Sequence, residues 1–208
     1  VKGVVIIFAK APRMGLSKTR LAAGIGATQA WRIKRALDAR TCRVARDPRW
    51  STRLAVAPEK DLKARFPGAW PDGLARLGQG RGDLGRRMAR ALATFGAGAG
   101  GRPVLIIGSD APDLRATDLD RAFAALRRAD IVFGPAVDGG FWLIGAGPRL
   151  ARRLTLRPVR WSSPHALADT LLTLPVGARV ARLRTLADVD DAASLRAAGG
   201  GGGGRRRR

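Results

Sequence analysis

Apolar residues along this chain switch repeatedly between continuous strand-like runs and the three-and-four spacing of a helix, and that alternation constrains the fold more than any single motif. The run VVIIFA at 4–9 is continuous and rich in β-branched residues, as for a strand covered on both faces. After Thr28, read as an N-cap, Ile33, Leu37 and Val44 recur at helical spacing together with Ala30 and Ala36. Residues 54–57 predict a second strand, 67–73 a loop, and 83–95 a helix with Leu84, Met88, Ala91, Leu92 and Phe95 on one stripe. A glycine-rich turn at 96–101 leads into a buried strand at 103–108, and a helix opens at Ala116 or Thr117. Strands at 131–133 and 141–144 flank the loop PAVDGG, a helix follows Ser163 and Pro164, and a strand at 179–183 precedes a terminal helix over 186–198. Strands alternating with helices imply right-handed βαβ crossovers, hence an α/β fold with a mostly parallel sheet. In such sheets ligands bind beyond the carboxyl ends of the strands.

Composition narrows the class. A length of 208 residues with 46% hydrophobic and 26% charged side chains suits a single domain, expected over 1–198. Cys42 is the only cysteine, which excludes an intrachain disulfide and a cysteine-rich zinc site and agrees with a cytoplasmic location. No apolar run approaches the ~18–20 residues of a membrane span, and the run at 4–9 reads as a buried strand, not a signal peptide.

Charge is the unusual quantity: 39 Lys+Arg against 16 Asp+Glu give +23. Phosphate-neutralising cations supply most non-specific nucleic-acid affinity, so a nucleic-acid partner is one reading. The charge is nevertheless spread over nearly every segment, which favours a compositional drift toward Arg and Ala over a dedicated nucleic-acid surface. Its last four units, Arg205 to Arg208, follow six glycines in a 199–208 tail whose low complexity predicts disorder.

Four segments carry candidate chemistry. The first loop, residues 9–21, joins a strand to a helix and carries Lys10, Arg13, Lys18 and Arg20, a setting that favours phosphate over an ordinary turn. Pro12 and Ser17 stand where a P-loop requires glycine, so a P-loop NTPase is excluded. Asp110 directly follows the apolar strand, where a carboxylate suits a divalent cation, whereas Asp113 suits a helix cap. Asp138 precedes Gly139 and Gly140, which permit close backbone approach. Asp138 is a candidate for binding a substrate hydroxyl or abstracting its proton, with turn formation as the competing role. Phe141 and Trp142 pack either a sugar or base or the core. Asp188, Asp190 and Asp191 on their own read as caps of the terminal helix. His165 stands alone and receives no catalytic role.

Six blocks, in order, resemble the bacterial GT-A-type family labelled DUF2064. Its pattern runs FAKAPRPGxxKTRL, QGxGDLGxRM, GSDxPxL, GPAxDGGYxLIG, WST and DVDTPEDL. This chain reads FAKAPRMGLSKTRL at 8–21, QGRGDLGRRM at 79–88, GSDAPDL at 108–114, GPAVDGGFWLIG at 134–145, WSS at 161–163 and DVDDAASL at 188–195. The resemblance implies a three-layer αβα fold of the nucleotide-diphospho-sugar transferase (GT-A, Rossmann-like) type. It implies that Asp110 and Asp190 hold Mg²⁺ or Mn²⁺, and that Lys10, Arg13, Gly15, Lys18 and Asp83 bind nucleotide phosphates. It places Asp138, Gly139, Gly140 and Trp161 at the substrate, with Asp110, Asp138 and Lys18 as catalytic residues. The chain departs from the pattern at Phe141, where the family has Tyr, and at 191–194, where DAAS replaces TPED.

The expected activity is metal-dependent transfer from a nucleotide-activated donor, most simply by a nucleotide-sugar glycosyltransferase with an unspecified acceptor. Nucleotidyl transfer from an NTP with release of pyrophosphate is the alternative enzyme, and a non-catalytic basic nucleic-acid-binding protein the alternative class.

Overall fold

The computed structural model describes residues 2–97 and 101–200. Residues 98–100 of the glycine-rich turn, and 201–208 of the tail expected to be disordered over 199–208, lie outside the described residues. Seven strands form one sheet: β1 (Val4–Lys10), β2 (Ser51–Ala57), β3 (Arg76–Gly78), β4 (Val104–Ile107), β5 (Ile131–Pro135), β6 (Phe141–Ala146) and β7 (Val180–Arg182). Their order is β3-β2-β1-β4-β6-β5-β7. Neighbours pair in parallel except where β6 meets β4 and β5, so β6 alone among these strands runs against the rest. The mostly parallel α/β sheet expected from the alternating periodicity is thus the observed one.

Among the described residues seven α-helices flank the sheet: α1 (Thr19–Ile25), α2 (Ala27–Ala45), α3 (Leu84–Gly96), α4 (Ala116–Ala125), α5 (Pro148–Ala151), α6 (Ala166–Leu172) and α7 (Ala192–Gly200). The continuous apolar run of β1 is explained by two cores. Val5 and Ile7 pack with Cys42 and Ala45 of α2 and Leu119 and Ala122 of α4, whereas Val4 and Ile6 pack on the opposite face with Met88, Ala91 and Leu92 of α3. Ile6, Ile7 and Leu92 are completely buried; each such side chain contributes roughly 1.5–3 kcal/mol of transfer free energy. A third, smaller cluster joins Leu21 of α1 and Leu37 of α2 to Val189, and so fastens the segment before α7 to the front of the sheet.

Several boundaries differ from the sequence reading. Gly26, at φ +86°, separates α1 from α2, so Thr28 lies inside a helix instead of capping one. β3 is a three-residue edge strand too short to show a period, and α5 is a single turn. Asp113 does not cap α4; that helix starts after Arg115, whose backbone N–H donates to the Asp118 carboxylate at 2.9 Å. Asp191, not Asp188 or Asp190, caps the start of α7, accepting from the Ser194 N–H at 2.8 Å. Trp142 belongs to the core, its indole N–H donating to the Arg184 carbonyl at 3.2 Å. No helix among the described residues is long and apolar enough to cross a membrane.

Candidate active site at the carboxyl edge of the sheet

The carboxyl ends of β1 and β4 open on a two-lobed cleft. One lobe, of about 430 Å³, is lined by Phe8, Lys10, Leu16, Lys18, Lys34, Gln79, Ser109, Asp110 and Asp190, among others. The other, of about 630 Å³, shares Lys10, Lys18, Asp110 and Asp190 and extends to Arg20, Asp138, Gly140, Phe141, Trp161 and Asp188. Residues from both ends of the chain meet here because the Val189 N–H donates to the Asp110 carbonyl at 3.0 Å. That backbone bond, with the packing of Val189 against Leu21 and Leu37, sets the 188–190 segment beside the turn after β4.

Lys18 is the centre of the arrangement. Its backbone is left-handed (φ 58°, ψ 37°), an unfavourable conformation for a side-chain-bearing residue, immediately before α1. The side chain is 4% exposed, and Nζ stands 2.8 Å from Asp110 Oδ1 and 2.7 Å from Asp190 Oδ1. It also donates to the Val189 carbonyl at 2.6 Å. Burial pulls the Lys18 ammonium toward neutrality, but the charges of Asp110 and Asp190 outweigh it and hold it protonated well above the ordinary range. For Asp110, burial opposes ionisation and the nearby Lys34 and Lys18 ammonium groups overcome it, keeping the carboxylate below the ordinary range.

Beneath Asp110 lies a polar chain that local spacing does not announce. Lys34 Nζ is 2.6 Å from Asp38 Oδ1, donates to Ser109 Oγ at 2.8 Å and is 4.0 Å from Asp110 Oδ1. The other oxygen of Asp38 accepts from the Trp70 indole N–H at 3.1 Å. An i, i+4 Lys–Asp pair is common on exposed helices. Only its position on the face buried against the sheet makes it part of this site. Gln79 was likewise unassigned by the sequence; its side-chain amide donates to the carbonyls of Ala9 and Ala55 and so braces β1 against β2 at the cleft wall.

Of the residues singled out from sequence, Lys10, Lys18, Asp110, Asp138, Gly140, Trp161 and Asp190 come together, and four do not. Arg13 turns away, its Nε and Nη2 donating to Asp61 Oδ1 at 2.8 and 2.6 Å and its guanidinium lying 5.5 Å over the Phe66 ring. The Asp61 carboxylate is 2% exposed, and a charge buried that deeply requires a partner. Gly15 sits at the exposed tip of the loop with φ +78° and nothing within 4 Å of an added Cβ. Asp83 is the N-cap of α3, its carboxylate accepting from the Arg86 N–H at 2.8 Å, and lies outside the lining of the cleft. Gly139 does allow close approach, but to protein: a Cβ there would lie 2.1 Å from the Pro164 carbonyl oxygen. Asp138 also closes its own turn, Oδ1 accepting from the Gly140 N–H at 2.9 Å, so the turn-forming role is present beside the cleft-lining one.

Comparison with known proteins places these residues in a family. The family described as "Uncharacterized protein conserved in bacteria (DUF2064)" matches residues 39–163, more than half of the chain. The chain belongs to the DUF2064 family. In this DUF2064 protein the matched span holds Asp110, Asp138 and Trp161, while Lys18 and Asp190 reach the same cleft from outside it. No curated protein matches the sequence. Among solved structures, a protein of Desulfovibrio desulfuricans G20, provisionally named a nucleotide-diphospho-sugar transferase, superposes with a TM-score of 0.85 at 25% identity over 99% of this chain and 90% of that one. A manganese complex of Rv0371c from Mycobacterium tuberculosis H37Rv gives a TM-score of 0.57 at 14% identity over 94% and 97% of the two chains. CMP:2-keto-3-deoxy-manno-octonic acid synthetase with CTP gives 0.57 at 11% over 95% and 97%. The latter two share the fold, which is that of the nucleotide-diphospho-sugar transferases.

The donor set at the cleft fits a divalent cation. Asp110 Oδ1 is buried with an ion-pair contact but no aligned hydrogen bond, and the Lys18 ammonium stands between the two carboxylates as a cation would. Burial, aided by the negative charges of Asp110, Asp138 and Asp190, pushes the Asp188 carboxyl up to about 7, as expected where carboxylates crowd around too little positive charge. Among the described residues no three His, Cys, Asp or Glu side chains converge as a ready-made cage. Two carboxylates with open positions suit Mg²⁺ or Mn²⁺, which retain water and take substrate phosphates as further ligands.

Proposed function

We propose that this DUF2064 protein is a metal-dependent transferase acting on a nucleotide-activated donor, most simply a nucleotide sugar. The observation that carries the reading is the Lys18 ammonium between Asp110 and Asp190 at the junction of the two lobes. A site that alternates fixed cations and carboxylates at the carboxyl edge of a parallel sheet suits a diphosphate bridged by a divalent ion. Asp110 and Asp190 would hold that ion, whose chemistry there is Lewis-acid neutralisation of charge on the leaving diphosphate.

The chain's own groups supply the rest. Lys10 and Lys18 place positive charge where the diphosphate develops negative charge, the electrostatic contribution that is usually the largest in such transfers. The lobe containing Gln79 and Lys34 takes the nucleotide, and the lobe containing Asp138, Phe141 and Trp161 takes the transferred group and acceptor. In glycosyl transfer the acceptor oxygen bonds to the anomeric carbon as the bond from that carbon to the diphosphate oxygen breaks. The nucleoside diphosphate leaves, and the acceptor proton passes to Asp138, whose Oδ2 is not used in its own turn.

Nucleotidyl transfer is the second reading, favoured by the fold shared with a synthetase that binds CTP. A panel of NTPs and nucleoside-diphosphate sugars, screened by thermal shift with and without Mn²⁺, tests both. A ligand at 100 times its dissociation constant stabilises by about 2.7 kcal/mol. Released pyrophosphate identifies nucleotidyl transfer, and a released nucleoside diphosphate identifies glycosyl transfer. Equal nucleotide and Mn²⁺ binding by the parent and Asp110→Ala rejects the site, and salt-sensitive nucleic-acid binding that survives Asp110→Ala favours the non-catalytic alternative.

A further inference from the structure

The Lys18 ammonium and a divalent ion cannot occupy the same place. Nζ lies within 2.6 to 2.8 Å of Val189 O, Asp190 Oδ1 and Asp110 Oδ1, so the carboxylate oxygens that face each other are already bridged by a cation. Lys10 and Arg20 line the same cleft, yet among the described residues neither forms an ion pair with these carboxylates. Lys34 is spoken for by Asp38 and Ser109. Lys18 is therefore the one of these cations whose position blocks the bridge.

Moving Lys18 aside without a substitute is costly, because a 4% exposed ammonium would give up contacts with two carboxylates and a carbonyl. Phosphate oxygens in the adjoining lobe would provide that substitute through charge-assisted hydrogen bonds. The lysine stem permits the exchange: its Cα is fixed at the start of α1, while four side-chain torsions can swing the head group. We propose that Lys18 is an exchangeable internal cation, which yields Asp110 and Asp190 to a divalent ion only when donor phosphates receive its ammonium. Metal and phosphate then bind as a coupled pair, and by linkage each raises the affinity for the other by the same factor. Lys18 offsets part of the charge of Asp110 and Asp190 when neither is bound. This inference rests on the metal-dependent reading above.

The test measures Mn²⁺ alone, with no nucleotide, by the loss of the free-ion electron paramagnetic resonance signal. Lys18→Gln, which keeps a donor for the carboxylates but no charge, and Lys18→Met are compared with the parent, with circular dichroism confirming that each is folded. At least about fivefold tighter Mn²⁺ binding by either folded variant is expected, at the lower end of ordinary coupling factors. Variants that bind Mn²⁺ no tighter than a parent that does bind it overturn the exchange while leaving the metal reading intact. If the parent, Lys18→Gln and Lys18→Met all fail to bind Mn²⁺, the metal reading falls and the exchange falls with it. A parent-only measurement guards against misfolded variants: the ¹⁵N resonance of the Lys18 ammonium is followed during addition of Mg²⁺ with inorganic pyrophosphate. The resonance is expected to move when both are added, and an unmoved resonance overturns the proposal.

Discussion

Lys34 and Asp38, one turn apart on α2, form a 2.6 Å ion pair whose side chains are 4% and 0% exposed, directly under the turn that carries Asp110. Breaking such a pair leaves a buried charge without a counter-ion, a loss of about 3–5 kcal/mol, whereas neutralising both partners removes most of the penalty. Lys34→Met is expected to lower the urea midpoint accordingly. Lys34→Met with Asp38→Asn is expected to recover most of it, because Asn retains an acceptor for the Trp70 indole. A double variant as unstable as the single one would show that the loss comes from packing.

Arg13 is expected to act on stability and not on ligand binding, since its guanidinium is committed to Asp61. Arg13→Met keeps the stem over Phe66 but leaves the Asp61 carboxylate without its guanidinium partner, which lowers stability. Chemical denaturation should record that loss, while nucleotide affinity, measured by thermal shift at fixed Mn²⁺, should be that of the parent.

Gly139 holds a backbone conformation, φ +85°, in which its hydrogen packs against the Pro164 carbonyl. Gly139→Ala combines the cost of a left-handed alanine, on the order of 1 kcal/mol or more, with a steric contact against backbone that cannot swing away. The expected result is a lower melting temperature together with displacement of Asp138. Catalysis should fall more than nucleotide affinity, which a KM-against-kcat comparison would separate.

Asp118 contributes a pH-dependent stability. Burial raises its carboxyl pKa, but hydrogen bonds from Arg184 and the Arg115 backbone more than reverse this, so it titrates below the ordinary range. A depressed folded pKa contributes stability that is complete above the unfolded value of about 3.9 and is lost as the pH falls through the folded value. Urea midpoints of the parent should therefore drop more steeply below about pH 4 than those of Asp118→Asn. Parallel curves would exclude this pair as a source of acid sensitivity.

Much of the fold was legible because it depends on periodicity. The run at 4–9 had to be covered on both faces, and it is, by α2 and α4 on one side and α3 on the other. The stripe of Met88, Ala91 and Leu92 had to face a sheet, and it does. Of the elements absent from the sequence reading, β3 and α5 are three and four residues long, too short to express a period, and α1 begins inside the stretch read as the first loop. Asp110 was legible because a carboxylate at the end of an apolar strand has few structural uses. Sequence reveals a side chain's charge but not its partner in the fold, here Asp61 for Arg13 and the Arg86 N–H for Asp83.

The sequence by itself determined the layers, the mostly parallel sheet and the carboxyl edge at which a site would form, because these follow from local hydrophobic spacing and chain direction. Only the tertiary structure decided that Lys18, Asp110 and Asp190 share one point and that Lys34 lies beneath them. Those contacts join residues as far as 172 positions apart through backbone hydrogen bonds and the packing of Val189 against α1 and α2. Local spacing carries no information about which charges meet across such a distance; packing alone assigns each cation its carboxylate.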